Sequence, residues 1–145
     1  MKYKVDLVMG CIFCEIINGK RNGHFIYEDE NYIAFLDRYP IDKGHSLVLP
    51  RKHFEKITDL SPEKVGELFS YIPKIARGII KTTCADAFSL AQNNGQAAKQ
   101  IVPHVHVHII PRYNNKGTVW TKREIVNDKE LSVLAKKIRE CIEAE

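Results

Sequence analysis

The chain has 145 residues, of which 44% are hydrophobic and 28% are charged. This composition is typical of a globular protein, and the length predicts one domain over 1–145 without a second module. The longest apolar runs are far shorter than the roughly 20 residues that span a bilayer, and residues 1–9 (MKYKVDLVM) lack the apolar core of a secretory signal. We therefore expect a cytoplasmic protein with a flexible N-terminal extension over 1–10.

The charges are nearly balanced, because 22 Lys and Arg residues face 18 Asp and Glu residues and leave a net charge of +4. No run of about five or six basic residues indicates a nucleic-acid-binding arm. Among the four cysteines, Cys11 and Cys14 form a CxxC motif, whereas Cys84 and Cys141 lie far along the chain. In a reducing compartment this spacing favours a metal or redox role over a disulfide framework.

The first elements in chain order are a short helix and three strands. The apolar segment 11–17 runs up to Asn-Gly, which predicts a brief helix, because Gly19 suits the position after a helix C-terminus. Alternating aromatic and β-branched residues over 25–28 and 31–37 predict the two strands of a hairpin. Residues 45–50 (HSLVLP) predict a third strand.

A long amphipathic helix follows these strands. Ser61 and Pro62 predict its start, because serine suits the N-cap and proline suits the first helical position. Apolar residues then recur at helical spacing up to position 80. Pro73 lies inside this pattern and removes one backbone hydrogen bond, so it predicts a kink or a split.

The remaining elements are two strands and a final helix. Strands are predicted over 87–92 and over 103–110, where Pro111 ends the second of them, and Asp128 is predicted to cap the C-terminal helix. Runs of adjacent strands, instead of strict alternation with helices, predict an α+β domain. We expect a five-stranded antiparallel sheet with the helices packed on one face.

The strand over 103–110 carries the most unusual pattern in the chain. Residues 103–112 read PHVHVHIIPR, which places the three histidines on one face of a strand, with neighbours about 6.6 Å apart. Imidazole at neutral pH serves as a nucleophile or a general acid or base. A histidine that attacks phosphorus forms a phosphoramidate, which water then hydrolyses. A polar sheet face, or a surface metal site made by an HxH pair, is the alternative interpretation.

These residues resemble the histidine triad (HIT) family, in which histidines alternate with apolar residues as in HVHVHII. Further matching motifs occur in the family's order, namely CIFCEIINGK, AFLD, KGHSLVLPRKH and QNNGQAAKQIVPHVHVHIIPR. The resemblance therefore runs from Cys11 to Arg112. It implies a HIT-like fold with a long central helix, and a homodimer.

The resemblance also implies roles for individual side chains. His106 would be the nucleophile towards the α-phosphorus of a nucleotide, His108 would contact the phosphate or the leaving-group oxygen, and His45 would support the same network. Asp37 would bind the ribose hydroxyls and Asn93 the phosphate. Backbone N–H groups would add anion-binding donors from a segment of three residues: Lys99, Gln100 and Ile101.

Two departures from the family pattern bear on activity. The family often has glycine at the position of Lys99, and a small hydroxyl residue is common at the position of Ile101. A side chain at 99 narrows the approach of backbone to phosphate, although its ammonium attracts the phosphate, and Ile101 supplies no hydroxyl. These departures leave open a nucleotide- or metal-binding regulator with little turnover.

The CxxC motif alone is as compatible with a small buried helix as with half a zinc site. In the branch of the family that has CIFC near the start, the resemblance implies a structural zinc held by Cys11, Cys14, His53 and His104. This tetrahedral set has no open position, so the metal would clamp the N-terminal segment to the sheet and would not activate water.

The predicted function is a nucleotide hydrolase or transferase. It would cleave the α-phosphate bond of an adenosine nucleotide, such as a phosphoramidate, a dinucleoside polyphosphate or an adenylated adduct, through a nucleotidyl-histidine intermediate. The binding regulator is the alternative. A nucleic-acid-binding module ranks third, since only the mild positive charge supports it, and we expect no nucleic-acid partner.

Overall fold

The computed structural model describes residues 8–121 and 125–145. Of the predicted extension, residues 1–7 lie outside the described residues, and the single-domain assignment stays a prediction. In the described part, no helix combines the length and the hydropathy needed to cross a membrane. The elements are α1 (Ile12–Ile17), β1 (Phe25–Glu28), β2 (Tyr32–Leu36), β3 (Ser46–Pro50), α2 (Pro62–Ser70), α3 (Ile72–Thr83), β4 (Ala87–Ala91), β5 (Val107–Arg112) and α4 (Asp128–Glu143), with short 3₁₀ helices at Ile57–Asp59 and Gln96–Ala98.

The five strands form one sheet in the order β1-β2-β3-β5-β4, and all neighbours are antiparallel. The predicted α+β architecture is therefore confirmed. The strand of the GHSLVL motif lies directly beside the histidine strand, where Leu47 pairs with His108 and Val48 pairs with Val107. This register brings His45, just before β3, to the end of the histidine pattern.

Helices cover both faces of this sheet. The core between the sheet and helices α2, α3 and α4 includes Ala34 and Val48, whereas α1 packs on the opposite face over Phe35 and Leu47. The prediction that the helices share one face is wrong for α1. Every residue of β2 and β3 is buried, and such strands need an apolar cover on both sides.

Pro73 splits the predicted long helix in two. Helix α2 ends at Ser70 and α3 begins at Ile72, with Tyr71 at the junction. Pro73 thus lies in the first turn of α3. Backbone N–H groups in a first turn have no acceptor within the helix, so a proline there loses no hydrogen bond. The split shows how the chain accommodates a proline within an otherwise continuous apolar stripe.

Helix α4 and strand β5 differ from their predicted bounds. The N-cap of α4 is Asn127, whose side chain accepts a hydrogen bond from the N–H of Glu130 at 2.9 Å, while Asp128 is the first helical residue and binds His24 and Arg38. Strand β5 begins at Val107, later than expected, and continues through Pro111. Proline fits there because the ladder between β3 and β5 involves residues 107–109 only.

Candidate functional site

The three histidines of the PHVHVHIIPR segment lie together on the face that α1 covers. His106 and His108 have ring centroids 4.9 Å apart, and His106 lies 4.9 Å from the ring of Phe13 in α1. The alternating apolar residues, Val105 and Val107 among them, belong to the core on the opposite face. The alternation therefore holds although regular strand pairing starts only at residue 107.

His106 is buried, and one of its ring nitrogens is already bonded. Its Nδ1 lies 2.6 Å from the carbonyl oxygen of His104. Because a carbonyl oxygen only accepts, Nδ1 carries the hydrogen and Nε2 keeps its lone pair. Burial lowers the pKa of His106, which favours the neutral ring, and the Nε2 of a neutral ring is suited to nucleophilic attack.

A chain of hydrogen bonds determines the tautomer of His108. The backbone N–H of Ile41 donates to His45 Nδ1 at 3.0 Å, so the hydrogen of the neutral His45 ring lies on Nε2. This Nε2 lies 2.9 Å from His108 Nδ1 and donates to it, which places the hydrogen of His108 on its own Nε2. The site thus offers a lone pair on His106 and an N–H on His108 in adjacent rings.

Asp37 lies at the end of β2, next to this chain of histidines. Its Oδ1 accepts a hydrogen bond from the N–H of Tyr39 at 2.8 Å, and its Oδ2 lies 3.6 Å from His45 Nε2. The second distance is too long for a direct hydrogen bond. The predicted ribose ligand and the histidines therefore share one site.

The segment before the histidines forms a closed turn, which we call the 93–101 loop. Gln100 is buried and closes it, because its Oε1 accepts from the N–H of Gly95 at 2.7 Å and its Nε2 donates to the carbonyl of Glu55 at 2.6 Å. Gly95 has φ +92°, a conformation that L side chains rarely adopt. The side chain of Gln100 thus shapes the loop from within.

The anion-binding N–H groups predicted at 99–101 differ in what they bond to in the structure. The N–H of Lys99 donates to Gln96 at 2.9 Å and the N–H of Gln100 donates to Gly95 at 3.1 Å, so both bonds are used inside the loop. Among the described residues, the N–H of Ile101 has no such bond, and its side chain is exposed. Asn93 is half-buried at the start of the loop.

The four predicted metal ligands converge beneath α1. Their ligand atoms all lie within 4.8 Å of one another. Three contacts join sulfur to Nδ1: Cys11 to His104 at 3.6 Å, Cys14 to His104 at 3.6 Å, and Cys14 to His53 at 3.4 Å. A tetrahedral zinc ion with ordinary bond lengths has S···N edges of about 3.6 Å. The donor set therefore fits zinc.

Hydrogen bonding and burial prepare His104 for this cluster. Its Nε2 donates to the carbonyl of Pro50 at 2.8 Å, which leaves the lone pair on Nδ1, the nitrogen that faces both sulfurs. Burial lowers the pKa of His104 to about 4 and raises the pKa of Cys14 to about 11. A bound cation reverses the second effect, because it favours the thiolate.

Phe13, between the two cysteines, is a residue of the site to which no sequence motif assigns a role. Its ring packs edge-on against His106 and, at 5.4 Å, against Phe35 of β2. The sequence does hint at this position. If Cys11 and Cys14 bind the same metal as His104, the helix between them must lie beside the histidine strand. The ring shields one side of the predicted nucleophile from solvent.

A protein-family model described as the HIT domain matches residues 18–115. The chain belongs to the HIT family. The matched residues include every histidine of the site and the 93–101 loop, whereas Cys11 and Cys14 precede them.

Two HIT relatives are named for an activity. Adenylylsulfatase HINT3 of Arabidopsis thaliana is 37% identical over 134 residues, which cover 89% of this chain and 68% of that protein. Adenosine 5′-monophosphoramidase hnt1 of Schizosaccharomyces pombe is 35% identical over 133 residues, which cover 90% of this chain and 96% of that protein. Both names refer to adenylyl or adenosine monophosphate compounds.

Solved HIT structures share the fold over nearly the whole chain. A hypothetical histidine triad nucleotide-binding protein from Sulfolobus tokodaii is 38% identical with a TM-score of 0.84, covering 92% of this chain and 93% of that one. A zinc-bound histidine triad family protein from Mycobacterium smegmatis is 34% identical with a TM-score of 0.83, covering 94% and 95%. The HIT-like fold is thereby confirmed.

Proposed function

We propose that this HIT protein is a nucleotide hydrolase or transferase that cleaves the α-phosphate bond of adenosine nucleotides. The observation that carries the proposal is the pair of adjacent rings in which His106 has a free Nε2 lone pair and His108 has an Nε2–H. The relatives named adenylylsulfatase and adenosine 5′-monophosphoramidase support the same class of substrate.

The reaction proceeds in two displacements. His106 Nε2 forms a bond to the α-phosphorus while the bond to the leaving group breaks, and the leaving group takes the electron pair. An amine leaving group takes a proton from His108 Nε2–H. Water then attacks phosphorus and gives up a proton, which restores the Nε2–H of His108 after an amine has left and passes to solvent after sulfate or phosphate has left. The P–N bond breaks and its electron pair returns to His106, which releases the nucleoside monophosphate.

The remaining predicted residues would hold the nucleotide. Asp37, beside His45, would accept hydrogen bonds from the ribose hydroxyls. The side-chain amide of Asn93 and the N–H of Ile101 would donate to the α-phosphate, while Gln100 keeps the 93–101 loop closed around it and Lys99 adds positive charge. Preorganised donors of this kind stabilise the negative charge of the transition state.

AMP release tests the proposed reaction. Wild-type protein and His106→Ala are incubated with adenosine phosphoramidate, adenylylsulfate, diadenosine triphosphate and diadenosine tetraphosphate. We expect release by the wild type and a loss of at least about a thousandfold in the variant, because the nucleophile is absent. His24→Ala is the control, since His24 binds Asp128 at 3.0 Å, away from the triad. Equal rates for wild type and His106→Ala on every compound would contradict the enzyme assignment.

A nucleotide-binding regulator with little turnover is the second candidate. Lys99 adopts φ 64°, which costs a residue with a side chain roughly 1 kcal/mol, and Ile101 offers no hydroxyl. Calorimetry with AMP distinguishes the candidates. Tight AMP binding together with no release from any of the four compounds favours the regulator.

We also propose that Cys11, Cys14, His53 and His104 hold a structural zinc ion. The zinc-bound relative and the clustered ligand atoms support this assignment. When bound, the metal joins α1 to the segments that carry the two histidines.

Elemental analysis of protein purified without chelator tests the zinc assignment. We expect about one equivalent of zinc in the wild type and a clear loss in Cys14→Ser, which removes a thiolate ligand. Less than half an equivalent in the wild type, unchanged in Cys14→Ser, rules out the site. Cys141→Ser is the control, because Cys141 lies on α4, away from the cluster.

Finally, we propose that the chain forms a homodimer. Strand β4 lies at the edge of the sheet, and it exposes two large apolar side chains, Phe88 and Leu90. An exposed apolar edge strand is a ready surface for pairing with another chain. The cytoplasmic location predicted from the sequence stays a prediction.

A further inference from the structure

The segment that follows His53 lies along the 93–101 loop and is tied to it by hydrogen bonds. The side chain of Gln100 donates to the carbonyl of Glu55 at 2.6 Å, and the N–H of Ile57 donates to the side-chain oxygen of Asn94 at 2.8 Å. Lys56 lies between these two bonds. Its side chain therefore starts from a backbone that is held in place against the loop.

The ammonium group of Lys56 lies against the turn at Gly95. A Cβ added at Gly95 would lie 3.8 Å from Cε and 4.0 Å from Nζ of Lys56. Lys56 is half-buried, and the contact at Gly95 places its amine beside the loop. A second cation, Lys99, lies four residues further on, after the 3₁₀ turn at Gln96–Ala98.

Neither lysine is neutralised within the part of the chain that the structure describes. No carboxylate among residues 8–121 and 125–145 forms an ion pair with Lys56 or Lys99. Asp59, the acidic group bonded to this segment, accepts from the backbone N–H of Lys56 at 3.0 Å. Since four of the loop's backbone N–H groups, those of Gly95, Ala98, Lys99 and Gln100, are bonded inside the loop, the lysines are a main source of positive charge there.

We propose that Lys56 and Lys99 bind the leaving group when it is a tetrahedral oxyanion, sulfate or phosphate, and so favour such substrates over phosphoramidates. This inference rests on the proposed function, and it assigns a substrate preference to the same site. The opposite charges attract, and a hydrogen bond from an ammonium to an oxyanion is stronger than a neutral one.

The two kinds of leaving group need different help. Sulfate departs with the electron pair of the broken P–O bond and needs no proton, but it gains negative charge, which nearby ammonium groups stabilise. An amine departs with the electron pair of the P–N bond and must gain a proton, which His108 supplies. A lysine charge therefore accelerates the first reaction more than the second.

The ratio of two rates tests this inference. We measure kcat/KM for adenylylsulfate, diadenosine triphosphate and adenosine phosphoramidate with wild type, Lys56→Gln, Lys56→Arg and Lys99→Gly. We expect Lys56→Gln to lower the ratio of the adenylylsulfate value to the phosphoramidate value about tenfold, which corresponds to the loss of a charged hydrogen bond. Lys56→Arg keeps the charge and should restore most of the ratio.

Two further comparisons distinguish a sulfate from a phosphate leaving group and control for the change in net charge. A fall for diadenosine triphosphate alone assigns the lysines to a phosphate leaving group, and a fall for adenylylsulfate alone assigns them to sulfate. Lys64→Gln is the matched control, because Lys64 is exposed and its Nζ lies 6.0 Å from the ring of Phe54. This control should leave the ratio unchanged.

Several results overturn the inference. An equal loss for all three substrates would assign Lys56 to the α-phosphate, which the substrates share. Unchanged ratios in Lys56→Gln and Lys99→Gly, in protein that releases AMP, would contradict the inference while the proposed function stands. If wild-type protein releases no AMP from any substrate, the proposed function fails and the inference falls with it.

Discussion

A single backbone N–H orients the proton-bearing side chains of the site. Ile41 donates to His45, which forces His45 to donate to His108. The Nε2–H that an amine leaving group would use in the proposed reaction is therefore already present on His108 before substrate binds.

Replacing His45 tests this chain of hydrogen bonds. In His45→Phe the donor to His108 Nδ1 is lost, so His108 is free to adopt the other tautomer. We expect kcat for adenosine phosphoramidate to fall about a hundredfold with a much smaller change in KM. Steady-state kinetics measure both constants. His45→Gln retains a donor and should recover part of kcat, whereas full activity in His45→Phe would contradict the proposed chain.

The tyrosine cluster beside α2 and α3 predicts how stability depends on alkaline pH. Tyr32 donates to Glu67 at 2.7 Å and Tyr27 donates to Asp29 at 3.0 Å. Burial, reinforced by these carboxylates, raises the pKa of Tyr32 and raises the pKa of Tyr27 to about 12. Above pH 10 the unfolded chain binds fewer protons than the folded chain, so the free energy of unfolding falls as pH rises.

Urea unfolding at pH 8.5 and at pH 11 measures this loss. Tyr32→Phe removes one of the phenols, so we expect a smaller loss between the two pH values than in the wild type. Tyr39→Phe is the control, because Tyr39 is exposed on the loop after β2. An equal loss in Tyr32→Phe and the wild type would contradict the account.

At the scale of elements, helices α3 and α4 approach each other closely at Gly78. A Cβ added there would lie 2.5 Å from Cγ1 of Ile142, and both residues are buried. Alanine is the better helix former by about 1 kcal/mol. We nevertheless expect Gly78→Ala to destabilise the protein by about 1–3 kcal/mol, because the added methyl group forces the helices apart.

A double-mutant cycle with Ile142→Ala measures this contact. Ile142→Ala alone leaves a cavity, but in the Gly78→Ala background it also removes the clash, so we expect it to cost less there. Gly66→Ala in α2 is the control, since nothing lies within 4 Å of an added Cβ, and it should stabilise the protein slightly. Additive effects in the cycle would contradict the steric explanation.

Local patterns in the sequence predict most elements but not how they pack. Residues 25–28 form a strand with the predicted bounds, because their alternation reflects the two faces of a sheet. The side on which α1 packs is a long-range property, and its apolar face alone does not reveal it. The start of β5 also depends on long-range contacts. The N–H of Val105 donates to the carbonyl of Phe54 at 2.7 Å and not to a neighbouring strand, so the strand begins later than the sequence pattern predicts.

The residues of the candidate site likewise fall into those that the sequence reveals and those that only the fold reveals. His106 and the CxxC cysteines belong to short motifs with a clear chemical meaning, so the sequence reveals them. Lys56 lies beside the 93–101 loop because its neighbour Glu55 is hydrogen-bonded to Gln100, about forty residues further along the chain. No spacing or periodicity connects these segments, and only the folded chain shows that they meet.

At the scale of the whole molecule, the exposed edge of the sheet predicts assembly. Phe88 and Leu90 on β4 are 41% and 44% exposed. We expect Phe88→Lys to shift the proposed dimer to a monomer, because a charge on an edge strand opposes pairing. Size-exclusion chromatography with light scattering measures the mass. Val133→Lys is the control, since it places the same charge at an exposed apolar position on α4. A wild type that is already monomeric contradicts the proposal.

His104 serves both sites with different atoms. Its ring faces the proposed zinc ligands, and its main-chain carbonyl accepts the Nδ1 hydrogen of His106. Every residue has a carbonyl, so no substitution at 104 removes that acceptor as such. A lineage can therefore give up the proposed metal ligands and still keep the hydrogen of His106 on Nδ1, provided that the main chain keeps its path past Pro50. The proposed metal site and the proposed nucleophile can in this sense evolve separately, although His104 contributes to both.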